Sequence, residues 1–261
     1  MALADSFDSF LVDLDGVVWL GEEPIKGAEE TLHELQRGGK WLRFLTNDPR
    51  ESRERLADRL RALGLSLEAA DVFTAATAVA ALAAKRSGGG RTSFVIGAPA
   101  LRAEVAAAGL RVLDGERGRE ADVVIVAGHD GFDHAELRIA MHALWRGAEL
   151  YGAGRDPSVP TPSGPWPGSG AVLAAVEYGS GRRGITAGKP EPHLFELARR
   201  SLPHGDRTAM VGDRLDSDVA GARRAGLPAI LVLTGSTRRE DLDGAAVPPD
   251  HVIASLPELV L

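Results

Sequence analysis

An α/β fold built on a parallel sheet is what this sequence of 261 residues predicts, and three observations predict it. Short apolar runs rich in Val, Ile and Leu alternate with longer stretches rich in Ala, Leu, Arg and Glu, the order expected of βαβ units. Those runs end on Gly, Asp or Asn, so polar groups gather at the carboxyl ends of the expected strands. Two glycine-rich joints, GGGRTS at 88–93 and GSGRRG at 179–184, bracket a middle segment with strands and helices of its own.

The first expected strand is 9–15, SFLVDLD, and it feeds a helix at 27–39. A strand at 41–47 and a helix at 52–64 repeat the unit. In the middle segment, strands at 93–97, 122–128 and 149–154 alternate with helices at 100–109, 134–147 and 169–181. A strand at 184–188 leads to a helix at 191–202 that carries Pro192 in its first turn. Strands at 208–213, 229–235 and 251–255 and a helix at 217–226 complete the chain. The stretch 156–170 holds five prolines and reads as a surface connection or a binding loop. The resulting organisation is a core of two sequence halves, 1–82 and 184–261, with a smaller α/β domain at 83–183 inserted between them.

Composition narrows the function. Hydrophobic residues make up 44% of the chain, as in a soluble globular protein. A net charge of -7 argues against broad binding of nucleic acid or anionic membrane, which needs basic patches. The absence of cysteine excludes disulfides and thiolate metal sites, and leaves hard metals on oxygen ligands. The N-terminal residues lack the pattern of a signal peptide, and no apolar run reaches about 18 residues, so a cytoplasmic protein without a membrane span is expected.

Polar residues recur at strand ends: Asp13 and Asp15, Thr46 and Asn47, Lys189, and Asp213. Ligands of open parallel sheets bind outside that edge. Each motif alone has an ordinary structural reading. DLDG suits a turn, Asp48 before Pro49 suits a helix cap, Lys189 suits a solvated surface, and Asp216 suits a cap for the helix after it. Together, four strand ends in this order point to one site, in which a divalent cation balances Asp13 and Asp15.

The segments DLDGVVW, LTND, AGKPEPHLFELA and MVGDRLDSDVAGARRAG resemble the four ordered motifs of the haloacid dehalogenase superfamily. GKP, GDRLDSD and LVLTG resemble its NagD-type phosphatase branch. The resemblance implies a Rossmann-like core with an α/β cap inserted between the second and third motifs. It further implies a Mg²⁺-dependent phosphatase that turns over a small phosphorylated metabolite through an aspartyl-phosphate. Asp13 then matches the nucleophile and Asp15 the general acid and base. Asp13, the main-chain carbonyl of Asp15, and Asp213 would ligate Mg²⁺, with Asp218 acting through a metal-bound water. Thr46, Asn47 and Lys189 would hold the phosphoryl group. In the cap, Arg155 and Ser158 are the candidates for specificity, and a homodimer through the cap is the assembly the branch suggests. Two departures stand out. Asp48 adds a carboxylate beside the phosphate pocket, and Val159 aligns with a histidine of pyridoxal phosphatases.

Rival activities fit less well. A P-loop requires G-x-x-x-x-G-K-[ST], but Arg183 stands five before Gly188 and Pro190 follows Lys189. The glycines at 88–90 lack dinucleotide-fingerprint spacing. A phospho-accepting signalling domain would use similar residues, yet would need neither Asp15 nor a second domain.

Overall fold

The computed structural model describes residues 2–87, 90–159, 164–203 and 207–261. The chain divides into two compact units. One comprises 1–46, 53–73 and 189–261; the other comprises 47–52 and 74–188.

The first unit is built on a six-stranded sheet. Its order is His251–Ile253, Ala229–Val232, Thr208–Gly212, Ser9–Asp13, Trp41–Thr46 and Val72–Thr74. The Ser9–Asp13 strand runs parallel to both neighbours, with Val12 opposite Val211 on one side and Phe44 on the other. All five of its residues are buried, as expected of a central strand covered on both faces. Phe10, Val12, Leu32, Phe44, Leu60 and Val211 belong to the apolar cluster packed on the sheet. The helix Ala28–Arg37 buries Ala28, Thr31, Leu32 and Leu35, a spacing that puts them on one face. Pro192 opens the helix Pro192–Arg200, which buries Leu194, Phe195 and Ala198.

A separate five-stranded sheet forms the second unit, in the order Ile185–Thr186, Glu149–Gly152, Val123–Val126, Thr92–Ile96 and Arg111–Val112. Its ladders are parallel. Phe94, Ile96, Val124, Val126, Leu144 and Leu173 lie in its core.

The nine expected strands form, each at or within a few residues of its expected range. The 75–87 helix was not foreseen. Ala75–Ser87 is so rich in alanine that it carries no amphipathic stripe, and it buries Ala75, Ala76, Ala78, Val79, Ala80 and Ala83. It belongs wholly to the second unit, so the division falls at 73/74, upstream of residue 83; at the far side it falls at 188/189. Expected as one helix, 217–226 is a π-turn over Leu215–Val219 followed by the short helix Ala220–Arg224. Part of the proline-rich stretch, 160–163, and part of the first glycine-rich joint, 88–89, lie outside the described residues. Among the described residues no helix is long and apolar enough to cross a membrane.

Candidate active site

Three carboxylates of the first unit converge. Asp13 ends the central strand, Asp213 follows the Thr208–Gly212 strand beside it, and Asp218 comes from the π-turn. One oxygen from each lies within 4.8 Å of the others, and all three residues are buried. The π-turn is what aims Asp218. Its Oδ2 accepts hydrogen bonds from the Asp213 and Arg214 amides at 3.2 and 3.1 Å. The wider helical turn that this local capture forces is a common device at functional sites. Gly212 is required there, because a Cβ at that position would collide with the Asp218 carboxylate.

Lys189 bridges two of the three. Its Nζ lies 2.6 Å from Asp13 Oδ1 and 2.7 Å from Asp218 Oδ1. Burial pulls the ammonium down, but Asp13 and Asp218 outweigh it and hold Lys189 above the ordinary lysine value. Burial, then Asp218, push the Asp13 carboxyl well above the usual range against the pull of Lys189. Burial and Asp218 also raise Asp213, opposed by its bond from Ser236 N at 2.5 Å.

The donor set fits a hard divalent cation. Fully ionised, the three carboxylates would outnumber the one ammonium by two negative charges in a buried space, which such an ion would balance. Asp213 Oδ1 is buried without a hydrogen-bond partner, an oxygen aimed at something other than the protein. The ligand set expected from sequence gave Asp218 an indirect role. The fold puts it in the cluster itself and in contact with Lys189, a pairing across 29 positions that no local pattern announces.

Asp15 is placed differently from Asp13. The strand stops at Asp13, the chain turns, and Asp15 is exposed while Asp13 is buried. Trp19 Nε1 donates to Asp15 Oδ1 at 3.1 Å. Thr46 is buried at the end of the strand beside Asp13. Asn47, next in the chain, belongs to the second unit, where its Nδ2 donates to Asp156 Oδ2 at 3.1 Å.

Two capping expectations are corrected. Asp48 caps no helix: its Oδ1 accepts from the amide of Arg50 at 2.9 Å, and its carboxylate pairs with the Arg50 guanidinium. The next helix starts only at Arg53. Asp216 pairs with Arg214 instead of capping Ala220–Arg224. Of the two specificity candidates, Arg155 binds the buried Glu177 at 2.9 Å and the Gly184 carbonyl at 2.9 Å. Ser158 is exposed in a two-residue strand paired with Trp166–Pro167.

Comparison with known proteins gives a consistent family. Residues 10–111 match the model described as Haloacid dehalogenase-like hydrolase, and 186–259 match a HAD-hydrolase-like model. Chronophin of Homo sapiens is 38% identical over 256 residues, covering 92% of this chain and 86% of chronophin. The D-glycerol 3-phosphate phosphatase of Mycobacterium tuberculosis is 38% identical over 240 residues, covering 90% of this chain and 65% of that protein. A crystal structure of glycerol phosphate phosphatase from Mycobacterium tuberculosis, in complex with magnesium, has a TM-score of 0.91 at 34% identity; the match covers 100% of this chain and 78% of that one. Such likeness along both halves of the chain, meeting at a buried aspartate cluster, establishes that the chain belongs to the haloacid dehalogenase-like hydrolases and is a phosphatase of small phosphate monoesters.

Proposed function

We propose that the protein hydrolyses a compact polyol phosphate of the glycerol phosphate class through a phosphoryl group carried on Asp13. The observation that carries this reading is the Asp13–Lys189–Asp218 array, closed by Asp213 within the same 4.8 Å cluster. The similarity to a D-glycerol 3-phosphate phosphatase supports the substrate class.

In this reading an Asp13 oxygen attacks phosphorus as the ester O–P bond breaks. Asp15 gives its proton to the departing alkoxide. Water then attacks the aspartyl-phosphate, Asp15 takes the proton back, and phosphate leaves with Asp13 restored. Lys189 offsets charge on the phosphoryl oxygens, and the Thr46 hydroxyl holds them. Asp13, the Asp15 carbonyl, Asp213 and Asp218 would hold Mg²⁺. Bound there, the ion supplies charge neutralisation at the phosphoryl oxygens.

Turnover of glycerol 3-phosphate and of p-nitrophenyl phosphate should stop in chelator and return with Mg²⁺. Rapid acid quench with labelled substrate should trap label on the wild-type protein and none on Asp13→Asn. Label on the Asp13→Asn protein would move the nucleophile elsewhere.

A further inference from the structure

Asp213 turns two unlike oxygens to its surroundings. Oδ2 accepts the Ser236 amide at 2.5 Å, while Oδ1 is buried without a hydrogen-bond partner. A loop of the neighbouring strand makes the difference. The strands Ser9–Asp13, Thr208–Gly212 and Ala229–Val232 lie side by side. The first two lead to carboxylates of the cluster. The third leads to Leu233 and then to the uncharged run Thr234, Gly235, Ser236 and Thr237.

Those four residues close over Asp213. Besides the Ser236 amide on Oδ2, the Thr237 amide donates to the Asp213 carbonyl at 3.2 Å. Gly235 packs so tightly that a Cβ there would stand 2.1 Å from Oδ2, and a Cβ on Gly16 would stand 2.5 Å from the same oxygen. Thr234 reaches on to the turn after the central strand: its Oγ1 donates to the Gly16 carbonyl at 2.6 Å, across 218 positions of sequence. Gly16 and Gly235 meet there as well, since a Cβ on Gly16 would stand 3.0 Å from Gly235 Cα. Oδ2 is thus enclosed by two glycines and one amide.

We infer that Thr234–Thr237 is a positioning clasp that limits Asp213 to one-oxygen coordination through Oδ1, and that it thereby sets the preference of the site for Mg²⁺ over Ca²⁺. A carboxylate binds a cation through one oxygen or through both. An oxygen engaged by a short backbone hydrogen bond between two glycine walls is withheld from the second contact. Mg²⁺ demands a small, near-octahedral set of oxygens, whereas Ca²⁺ takes more oxygens at longer range and accepts bidentate carboxylates. A fixed, single oxygen therefore suits the smaller ion. Thr234 keeps the clasp shut, because its hydroxyl ties the loop to the turn that holds Asp15 and Gly16. Without that hydroxyl, loop and turn separate, and Oδ2 is freed to turn beside Oδ1.

The inference rests on Asp213 being a metal ligand, and binding measured without substrate separates the two ideas. Mg²⁺ and Ca²⁺ are each titrated by calorimetry into wild type, Thr234→Val, Thr234→Ser and Asp213→Asn, with thermal melting followed by circular dichroism to show that each variant is folded. Valine keeps the shape of threonine and lacks the hydroxyl; serine keeps the hydroxyl. Thr234→Val should weaken Mg²⁺ binding about ten-fold, the low end of what a partner of a metal ligand contributes. Ca²⁺ binding should change far less, so the ratio of the two affinities narrows. Thr234→Ser should keep the wild-type ratio, and Asp213→Asn should bind both ions more weakly. An Asp213→Asn protein that binds Mg²⁺ like wild type would overturn the ligand assignment itself. If Asp213→Asn loses Mg²⁺ but Thr234→Val binds both ions as wild type does, or weakens both equally, the clasp does not set the preference and the inference fails. Should Thr234→Val not fold, Thr234→Ala decides by the same ratio.

Discussion

Gly16 shows how one backbone position serves the whole cluster. Its φ is +85°, a conformation that costs an L-residue about 1–2 kcal/mol. A Cβ placed there would stand 2.5 Å from Asp213 Oδ2. Thr234 Oγ1 also donates to the Gly16 carbonyl at 2.6 Å, so the turn cannot swing away freely. Gly16→Ala is therefore expected to lower stability and to displace Asp213. The melting temperature should fall, and the Mg²⁺ concentration giving half-maximal turnover should rise. A variant with a lower melting temperature and an unchanged Mg²⁺ requirement would show that Asp213 tolerates the methyl group. The sequence exposes part of this site. Asp13, Thr46 and Asp213 are legible because each ends or follows a strand of one parallel sheet, and the edge rule collects them, whereas Lys189 follows Ile185–Thr186, a strand of the other sheet. Trp19 is not legible: in DLDGVVW it reads as one more apolar residue. Its hydrogen bond depends on a turn that brings its N–H back onto Asp15.

Elements were readable where apolar periodicity was strong. Ser9–Asp13 and Thr208–Gly212 are continuous apolar runs, and the fold buries every residue of both. Periodicity failed for Ala75–Ser87, where alanine covers all faces, and for Leu215–Val219, where one carboxylate captures two amides. The helix Ser169–Ser180 shows a further feature hidden from the sequence, the buried Glu177. It accepts from Arg155, Arg183 and the Gly184 amide, tying the start of the proline-rich stretch to the helix. Burial raises its carboxyl, but Arg155 and the Gly184 amide outweigh burial and hold it below the ordinary value. Because the folded-state value is depressed, this contribution is present above the ordinary 4.5 and is lost as pH falls through the depressed value. Glu177→Gln keeps the shape and removes the charge. It should destabilise by about 1–3 kcal/mol at neutral pH, the range for a buried group losing its partners. Arg155 and Arg183 are substantially exposed, so the cost stays below that of a fully buried ion pair. Chemical denaturation of wild type and variant at several pH values checks this: the gap should narrow in acid.

At the scale of the molecule, the aspartate cluster and the two specificity candidates lie on different stretches of chain. Asp13, Asp213, Asp218 and Lys189 all belong to the first unit, the aspartates on or just after two neighbouring strands of its sheet and Lys189 just ahead of the helix Pro192–Arg200. Arg155 and Ser158 belong to the second unit. Arg155 is already engaged by Glu177, which leaves the exposed Ser158 as the better probe of specificity. Sites that share no partners respond independently to substitution, within a few tenths of a kcal/mol. Ser158→Ala should therefore reorder kcat/KM across glycerol 3-phosphate, phosphoglycolate, a hexose phosphate and a nucleoside monophosphate. The same variant should leave the Mg²⁺ dependence within about two-fold of wild type. Asp213→Asn should do the reverse, weakening the response to Mg²⁺ for every substrate while keeping their order. If Ser158→Ala leaves the order intact, selection does not run through this hairpin. If it alters the Mg²⁺ response as strongly as Asp213→Asn, the two functions are not separable by unit.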